Sequence, residues 1–286
     1  MTDTELVWIP GQTAVLGSDQ HYPEEAPLRS VTVDGFWMQT RPVTNADFTE
    51  FVTDTGYLTV AERPLNTADY PGAPTANLKP GSMVFRRTNG PVDLRHLSQW
   101  WTWTPGASWR RPLGEGSSIA KRAQHPVVHV AYDDAEAYAA WAAMALPTEA
   151  EWETAARAGL DQAAYVWGER PEGPGQRLAN YWHGEFPWRP DPGYGRTTDA
   201  GTFPSNGYGL FDMAGNVWEW TSDWYGGTEA DSYDPVQSQF KVPRKVVKGG
   251  SFLCADSYCM RYRPAARRPQ MIDTGMSHIG FRCVKR

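Results

Sequence analysis

The residues with the clearest capacity for chemistry lie in one stretch, KGGSFLCADSYCMRYRPAARR, residues 248–268. It holds Cys254 and Cys259, two of the chain's three cysteines, with four residues between them. That spacing is wider than the C-x-x-C of a dithiol redox pair. On a straight strand, residues five apart point to opposite faces, and on a helix they diverge by about 140°. The two thiols converge only if ADSY bends, and Ala-Asp-Ser is reasonable turn material. Such a bend would aim two soft ligands at one point. Zinc in a closed structural site takes four ligands; His278 and Cys283 could complete a C-x4-C-x18-H-x4-C set. Copper(I) is satisfied by thiolates at low coordination number and leaves room for a third. A Cys254–Cys259 disulfide is another outcome, labile rather than structural in a reducing compartment. Arg261, Arg263, Arg267 and Arg268 follow closely. Cations there would favour thiolate over thiol; otherwise they form a solvated basic patch or pair with surface acids.

Other constellations carry less. HPVVH places His125 and His129 in an H-x3-H spacing. Pro126 and the two valines favour a strand, where the histidines would sit ~13 Å apart, so structural roles are expected for both. No glutamate follows to complete a non-haem iron triad. There is no Walker A loop and no G-x-G-x-x-G after a strand. GGSFL is not a G-x-S-x-G nucleophile elbow, because Leu253 stands two residues after Ser251.

The elements that must position these residues are few. PVTNADFTEFV predicts a helix capped by Thr44, with Phe48, Phe51 and Val52 as its apolar stripe. YDDAEAYAAWAAMA predicts one starting at Asp133 with Glu136 closing a capping box, and LPTEAEWETAARAG one capped by Thr148 and Glu151 and stopped at Gly159. Their acidic clusters read as helix starts, which favour carboxylates. LVWI, SVTVDGFWMQ, PVVHVAY, KVVKGGSF and IGFRCV read as strands. Long Pro- and Gly-rich stretches at 63–126 and 161–208 separate them, and loops of that length are usually functional or tied down. With 14 Trp, 23 Pro and 27 Gly, the composition favours one irregular, aromatic-anchored α+β domain over residues 1–286.

The net charge of -6 argues against nucleic acid as the main partner. Three cysteines form no disulfide framework. The opening MTDTELVWIPGQ has no basic or apolar signal region, and the longest apolar run, AYAAWAAMAL at 137–146, is too short to span a bilayer. A soluble, cytoplasmic protein without membrane contacts is the expectation.

GGSFLCADSYCMRYRPAAR followed by GFRC resembles the C-terminal signature of the formylglycine-generating enzymes, the sulfatase-modifying factors. VTNADF (43–48), HPVVHVAYDDA (125–135), LPTEAEWE (146–153) and NGYGLFDMAGNVWEWTSDW (206–224) match family blocks in the same order. Most of these blocks mark a broader superfamily; the C-x4-C pair is the specific part. The resemblance implies a C-type-lectin-like fold with sparse regular structure and long loops. It implies O2-dependent oxidation of a cysteine, in the C-x-P-x-R motif of an unfolded sulfatase polypeptide, to formylglycine, with a thiol reductant. It implies Cu(I) on Cys254 and Cys259, with the client's own thiolate as third ligand. Ser251 would stand beside the metal, Trp218 would wall the O2 side, and Tyr258 would neighbour the second ligand. Trp109 and Arg110 would line the peptide groove. Structural Ca2+ would take Asp212 and Glu219 side chains with Gly215 and Val217 carbonyls, and Asn180 would serve a second calcium site. Two departures stand out: Pro42 replaces the family's acid before VTN, which in some members helps hold the substrate arginine, and Asn66 stands at the nearby position that can carry an aspartate. The extra cysteines of secreted members are also absent. The competing reading is a non-catalytic lectin-like module with zinc on Cys254, Cys259, His278 and Cys283. An iron-dependent sulfoxide synthase is disfavoured for want of H-x3-H-x-E and a helical bundle.

Overall fold

A computed structural model describes residues 5–65, 72, 78–173, 175–236 and 241–286. The departure at Asn66 lies outside these residues. Among the described residues three α-helices stand among thirteen short strands. They are α1 (Asn45–Thr55), α2 (Tyr132–Trp141) and α3 (Glu149–Arg157). The strands are β1 (Leu6–Ile9), β2 (Gln12–Leu16), β3 (Arg29–Val33), β4 (Phe36–Gln39), β5 (Gly81–Phe85), β6 (Trp101–Pro105), β7 (Gly184–Glu185), β8 (Arg189–Pro190), β9 (Trp218–Trp224), β10 (Arg244–Lys248), β11 (Arg267–Met271), β12 (Ile279–Gly280) and β13 (Val284–Lys285). The class is α+β, dominated by strands and loops. No helix among the described residues is long and apolar enough to cross a membrane.

The sheet that bears on the cysteines runs in the order β11-β10-β9-β12. β10 is antiparallel to both β9 and β11, whereas β12 joins β9 in parallel. Val246 and Val247 of β10 are both buried, so the strand is covered on both faces. A second sheet, β1-β4-β13, ties both ends of the chain together. The expected strand SVTVDGFWMQ divides at Asp34-Gly35: β3 pairs with β2, and β4 turns into the other sheet.

Local rules account for the helices. Thr44 Oγ1 accepts from Asp47 N at 3.2 Å while Asp47 Oδ2 accepts from Thr44 N at 2.9 Å. Thr148 and Glu151 close the same reciprocal box on α3 at 3.1 and 2.7 Å. Phe48, Phe51 and Val52 enter the core, where Phe48 packs edge-on to Trp109 with ring centroids 5.1 Å apart.

Three local expectations need correction. α2 begins at Tyr132, because Asp134 accepts from Ala131 N at 2.9 Å and so places the N-cap at Ala131, two residues ahead of Asp133. α3 ends with Ala158 itself left-handed at φ 48°, one residue before Gly159. PVVHVAY forms no strand. His129 sits at φ 62°, which breaks the extended run, and the segment instead bonds singly to Val43, Met276 and Ile272. Its role is structural: Nδ1 meets Ser82 Oγ at 2.7 Å and Nε2 meets the Pro112 carbonyl at 2.9 Å. Burial pushes this imidazole down to about 4, so it is neutral.

With so little regular structure, buried ion pairs hold distant segments in register. Arg282 grips Glu219 with Nε at 2.7 Å and Nη2 at 2.8 Å, both side chains fully buried. Trp152 Nε1 of α3 donates to the same carboxylate at 2.7 Å. Lys248, at the end of β10, lies buried between Glu149 and Glu153 of α3. We predict that Arg282→Met destabilises the protein by about 3–5 kcal/mol, because it strands a buried carboxylate. Urea unfolding measures this, and adding Glu219→Gln should recover part of the loss.

Candidate functional site

The cysteine segment leaves β10 through Gly249 and Gly250, at φ 92° and 73°. A Cβ on Gly250 would lie 2.6 Å from the Arg261 carbonyl, so only glycine lets the outgoing chain pass this close to the returning one. ADSY then bends as the spacing requires. Tyr258 N donates to the Ala255 carbonyl at 2.9 Å, and Cys259 N donates to the same oxygen at 2.6 Å. The bend brings Cys254 Sγ and Cys259 Sγ to 3.5 Å. Both thiols are free and buried.

The two are electrostatically unequal. Contact with Cys254 is the main cause that lowers the Cys259 thiol below its ordinary range; burial opposes it, and a backbone bond at Arg261 and the Arg268 and Arg261 charges assist. Burial, then proximity to Cys259, pushes Cys254 up.

The four arginines have distinct fates. Arg261 stacks on Tyr22 at 3.6 Å, pairs with Glu24, and places Nη1 3.9 Å from Cys259 Sγ. Arg263 is buried against Glu25 in a two-point pair. Arg267 grips Glu149 at 2.8 and 2.9 Å. Arg268 has no ion pair among the described residues and lines a pocket of about 360 Å³.

Trp218 and Tyr258 line the same pocket, together with Trp101, Met83 and His278. Trp218 sits on β9, its N bonded to the His278 carbonyl at 2.8 Å. The Tyr258 ring stacks on Phe186 at 4.7 Å and meets Trp100 edge-on at 5.7 Å, so it is held rigidly. Ser251 is fully buried; its Oγ accepts from Leu253 N at 3.2 Å and its carbonyl from Cys254 N at 2.9 Å. It shapes the entry to the bend.

Trp109 and Arg110 stand apart. Trp109 is fully buried in the core, and Arg110 covers it at 4.4 Å and reaches Glu62 at 3.7 Å. Neither borders this pocket. Sequence reasoning did not single out Met83, Trp101 or Arg268 as pocket residues. The doubled arginine of AARR was a visible signal, but only the structure says which of the pair is unpaired.

The four-ligand zinc set is not assembled. Among the described residues no three His, Cys, Asp or Glu side chains gather as a metal cluster. His278 is turned to Trp101, ring centroids 4.8 Å apart, and burial, aided by Arg268, takes it down to about 3. Cys283 is buried at the end of the second sheet, where burial drives its thiol far up, and its N donates to Gln39 Oε1 at 2.7 Å.

The oxygen ligands expected for calcium are spread unevenly. Asn180 Oδ1 and Asp212 Oδ1 are buried acceptors without a partner among the described residues. Burial lifts Asp212 to about 6. Gly215 needs its missing side chain, since a Cβ would meet the Asn180 carbonyl at 2.3 Å. Val217 is buried. Glu219 already holds Arg282 and Trp152.

Fold and site together define a strand-and-loop α+β protein with a bent, buried dithiol and an aromatic pocket that neither cysteine borders, linked through Tyr258, the residue before Cys259. The chain belongs to the sulfatase-modifying factor family: the model of the sulfatase-modifying factor enzyme 1-like domain matches residues 1–286. It is 54% identical to the formylglycine-generating enzyme of Mycobacterium tuberculosis, over 98% of this chain and 97% of that one. It is 42% identical to the Mus musculus enzyme of the same name, over 98% and 75% of the two chains. It is 36% identical to the inactive Cα-formylglycine-generating enzyme 2 of Mus musculus, over 99% and 86%. The fold is shared with PvdO of Pseudomonas aeruginosa, at a TM-score of 0.62 and 22% identity, covering 98% of this chain and 94% of that one.

The inequality of the thiols is directly testable. Cys254→Ala removes the contact that favours the Cys259 thiolate, so the pKa of Cys259 should rise. Alkylation of Cys259 by iodoacetamide should slow near neutral pH, with its pH profile displaced upward, as read by mass spectrometry.

Proposed function

We propose that this protein is a copper-dependent formylglycine-generating oxidase, acting as one catalytic domain on a cysteine in the C-x-P-x-R motif of an unfolded sulfatase polypeptide. The observation that carries this reading is the pair of buried thiols 3.5 Å apart, held by a turn and left two short of a closed zinc set. Membership of the family, with named formylglycine-generating enzymes among the relatives, supports it.

Cu(I) fits the donor set: two thiols on a rigid bend, one of them already inclined to ionise. Cys254 and Cys259 would hold the ion, and it would supply the one-electron and O2 chemistry that side chains lack. The net reaction moves two electrons from the client cysteine and two from a thiol reductant to O2. The products are aldehyde, hydrogen sulfide, water and a disulfide.

The chain's own residues prepare the client. Tyr258, held by Phe186 and Trp100, and Trp218 would form an aromatic wall shielding the client thiol from water. Arg268 and Arg261 favour its anionic form in the same way that they favour the Cys259 thiolate. His278, neutral and with Nδ1 unpartnered among the described residues, offers the pocket a hydrogen-bonding group without a charge. With Pro42 and Asn66 in place of acids, recognition of the client arginine falls to other acids, or the target motif differs. The free cysteines suit a reducing, cytoplasmic setting. Calcium fits Asn180 and Asp212, whose unpartnered oxygens are hard ligands, better than Glu219, whose charge Arg282 already balances.

The deciding experiment incubates the reduced, Cu(I)-loaded protein with a C-x-P-x-R peptide, O2 and a thiol reductant. Mass spectrometry should show conversion of cysteine to aldehyde. Cys254→Ala and Cys259→Ala should each abolish conversion and copper retention, and Cys283→Ala should preserve both. No conversion across several such peptides, with metal bound, would place the chain beside the inactive relatives. Calcium has a separate readout: added Ca2+ should raise the thermal midpoint and chelation lower it, and Asn180→Ala or Asp212→Ala should erase that dependence.

A further inference from the structure

A second cavity, of about 550 Å³, lies away from the cysteines. Residues 276–278 separate the two: Met276 and His278 line the first pocket, and Ser277 lines the second. None of Cys254, Cys259, Trp218 or Tyr258 borders it. On a chain with a net charge of -6, four arginines line this one cavity: Arg86, Arg87, Arg122 and Arg196.

Their charges are poorly balanced. Arg87, Arg122 and Arg196 form no ion pair among the described residues, and Arg86 spends one donor on the Leu113 carbonyl at 2.9 Å. The acid at the rim, Asp191, leans to Arg177 at 3.7 Å. His125 is held with its Nδ1 2.8 Å from Thr197 Oγ1 and its Nε2 3.4 Å from Asp199; burial lowers its pKa, Asp199 opposes that, and the Arg122 and Arg196 charges add to the lowering. Unpaired guanidinium groups gathered in a concavity raise the local concentration of anions. Their planar forks match two oxygens of a sulfate, phosphate or carboxylate.

The floor is apolar. Phe85, Phe252 and Val128 contribute it, and all three are buried. The volume falls in the range of small-molecule pockets, about 300–1,000 Å³. Asn45 also lines the cavity; it is 3% exposed, and its Oδ1 has no donor among the described residues, although its Nδ2 is fixed to the Arg122 carbonyl at 2.8 Å. A bare inorganic ion leaves both the floor and this acceptor unused.

We propose that this cavity is a binding site for a small organic oxyanion, a sulfate or phosphate monoester with an apolar body. The ester oxygens face the guanidinium rim, the body rests on Phe85 and Phe252, and a hydroxyl or N–H of the body meets Asn45 Oδ1. The site is independent of the oxidase reading.

Isothermal titration of the full chain with 4-nitrophenyl sulfate and with 4-nitrophenyl phosphate tests it. At least one should bind at a single saturable site that weakens with added salt, and neutral 4-nitrobenzyl alcohol should not bind. The relative affinities of the two esters, and competition by inorganic sulfate or phosphate, identify the preferred headgroup. Arg122→Gln with Arg196→Gln should weaken binding at least tenfold, while Cys254→Ala leaves it unchanged. Should the double variant not fold, Arg87→Gln at the exposed rim should weaken binding several-fold. No saturable binding, equal binding of the neutral probe, an unchanged affinity in the folded arginine variants, or loss of binding in Cys254→Ala overturns the proposal.

Discussion

The buried pair of Arg282 and Glu219 is the constraint on which the rest of the architecture turns. It joins the C-terminal segment to β9, and through Trp152 it fastens α3 to the same point. Desolvating two charges is costly, and only a geometry that satisfies them offsets the cost. In a protein built largely of loops, this cost acts against every misplaced register. Lys248 against Glu149 and Glu153, and Arg263 against Glu25, apply the same rule where β10 ends and the cysteine segment begins. Apolar packing brings these segments together, and the ion pairs determine how they sit.

That scaffold explains how two thiols are held ready on an irregular stretch of chain. Glycine at 250 permits a backbone approach that any side chain would block. Glu24 and Glu25 clamp the arginines that flank Cys259, so the segment after the second thiol is anchored as firmly as a strand. Arg268 alone of the four arginines faces a pocket without an acid among the described residues. Three of the arginines thus serve structure, and one leaves its charge facing the pocket.

Much of the site was legible in the sequence. Two thiols five residues apart cannot meet without a bend, and the bend is there. The Thr44 and Thr148 caps followed from side chains that reach only three residues. Other features resisted the same reading. PVVHVAY has the composition of a strand, yet the amides of Val127, His129 and Tyr132 bond to three different neighbours and His129 is left-handed. Trp109 belongs to a block that resembles a groove wall, and its burial against Phe48 is a tertiary fact that the block alone does not give. The C-x4-C-x18-H-x4-C spacing looked sufficient for zinc because spacing says nothing of direction; His278 and Cys283 are packed into different surroundings.

By itself, the sequence determined the elements that depend on near neighbours. These are the capped helices, the valine-rich buried strand, the turn between the cysteines and the glycines that permit close approach. It also carried the family likeness, since matching blocks appear in order along the chain. Tertiary structure alone decided which arginine of the cysteine segment is unpaired, that the two thiols meet, and that four arginines from three separate segments line one cavity. The reason is physical. Those properties arise from contacts such as Arg261 with Glu24 and Arg263 with Glu25, which join residues 237 and 238 positions apart. A Coulomb field or a desolvation cost depends on distance in space, and local sequence rules do not encode it.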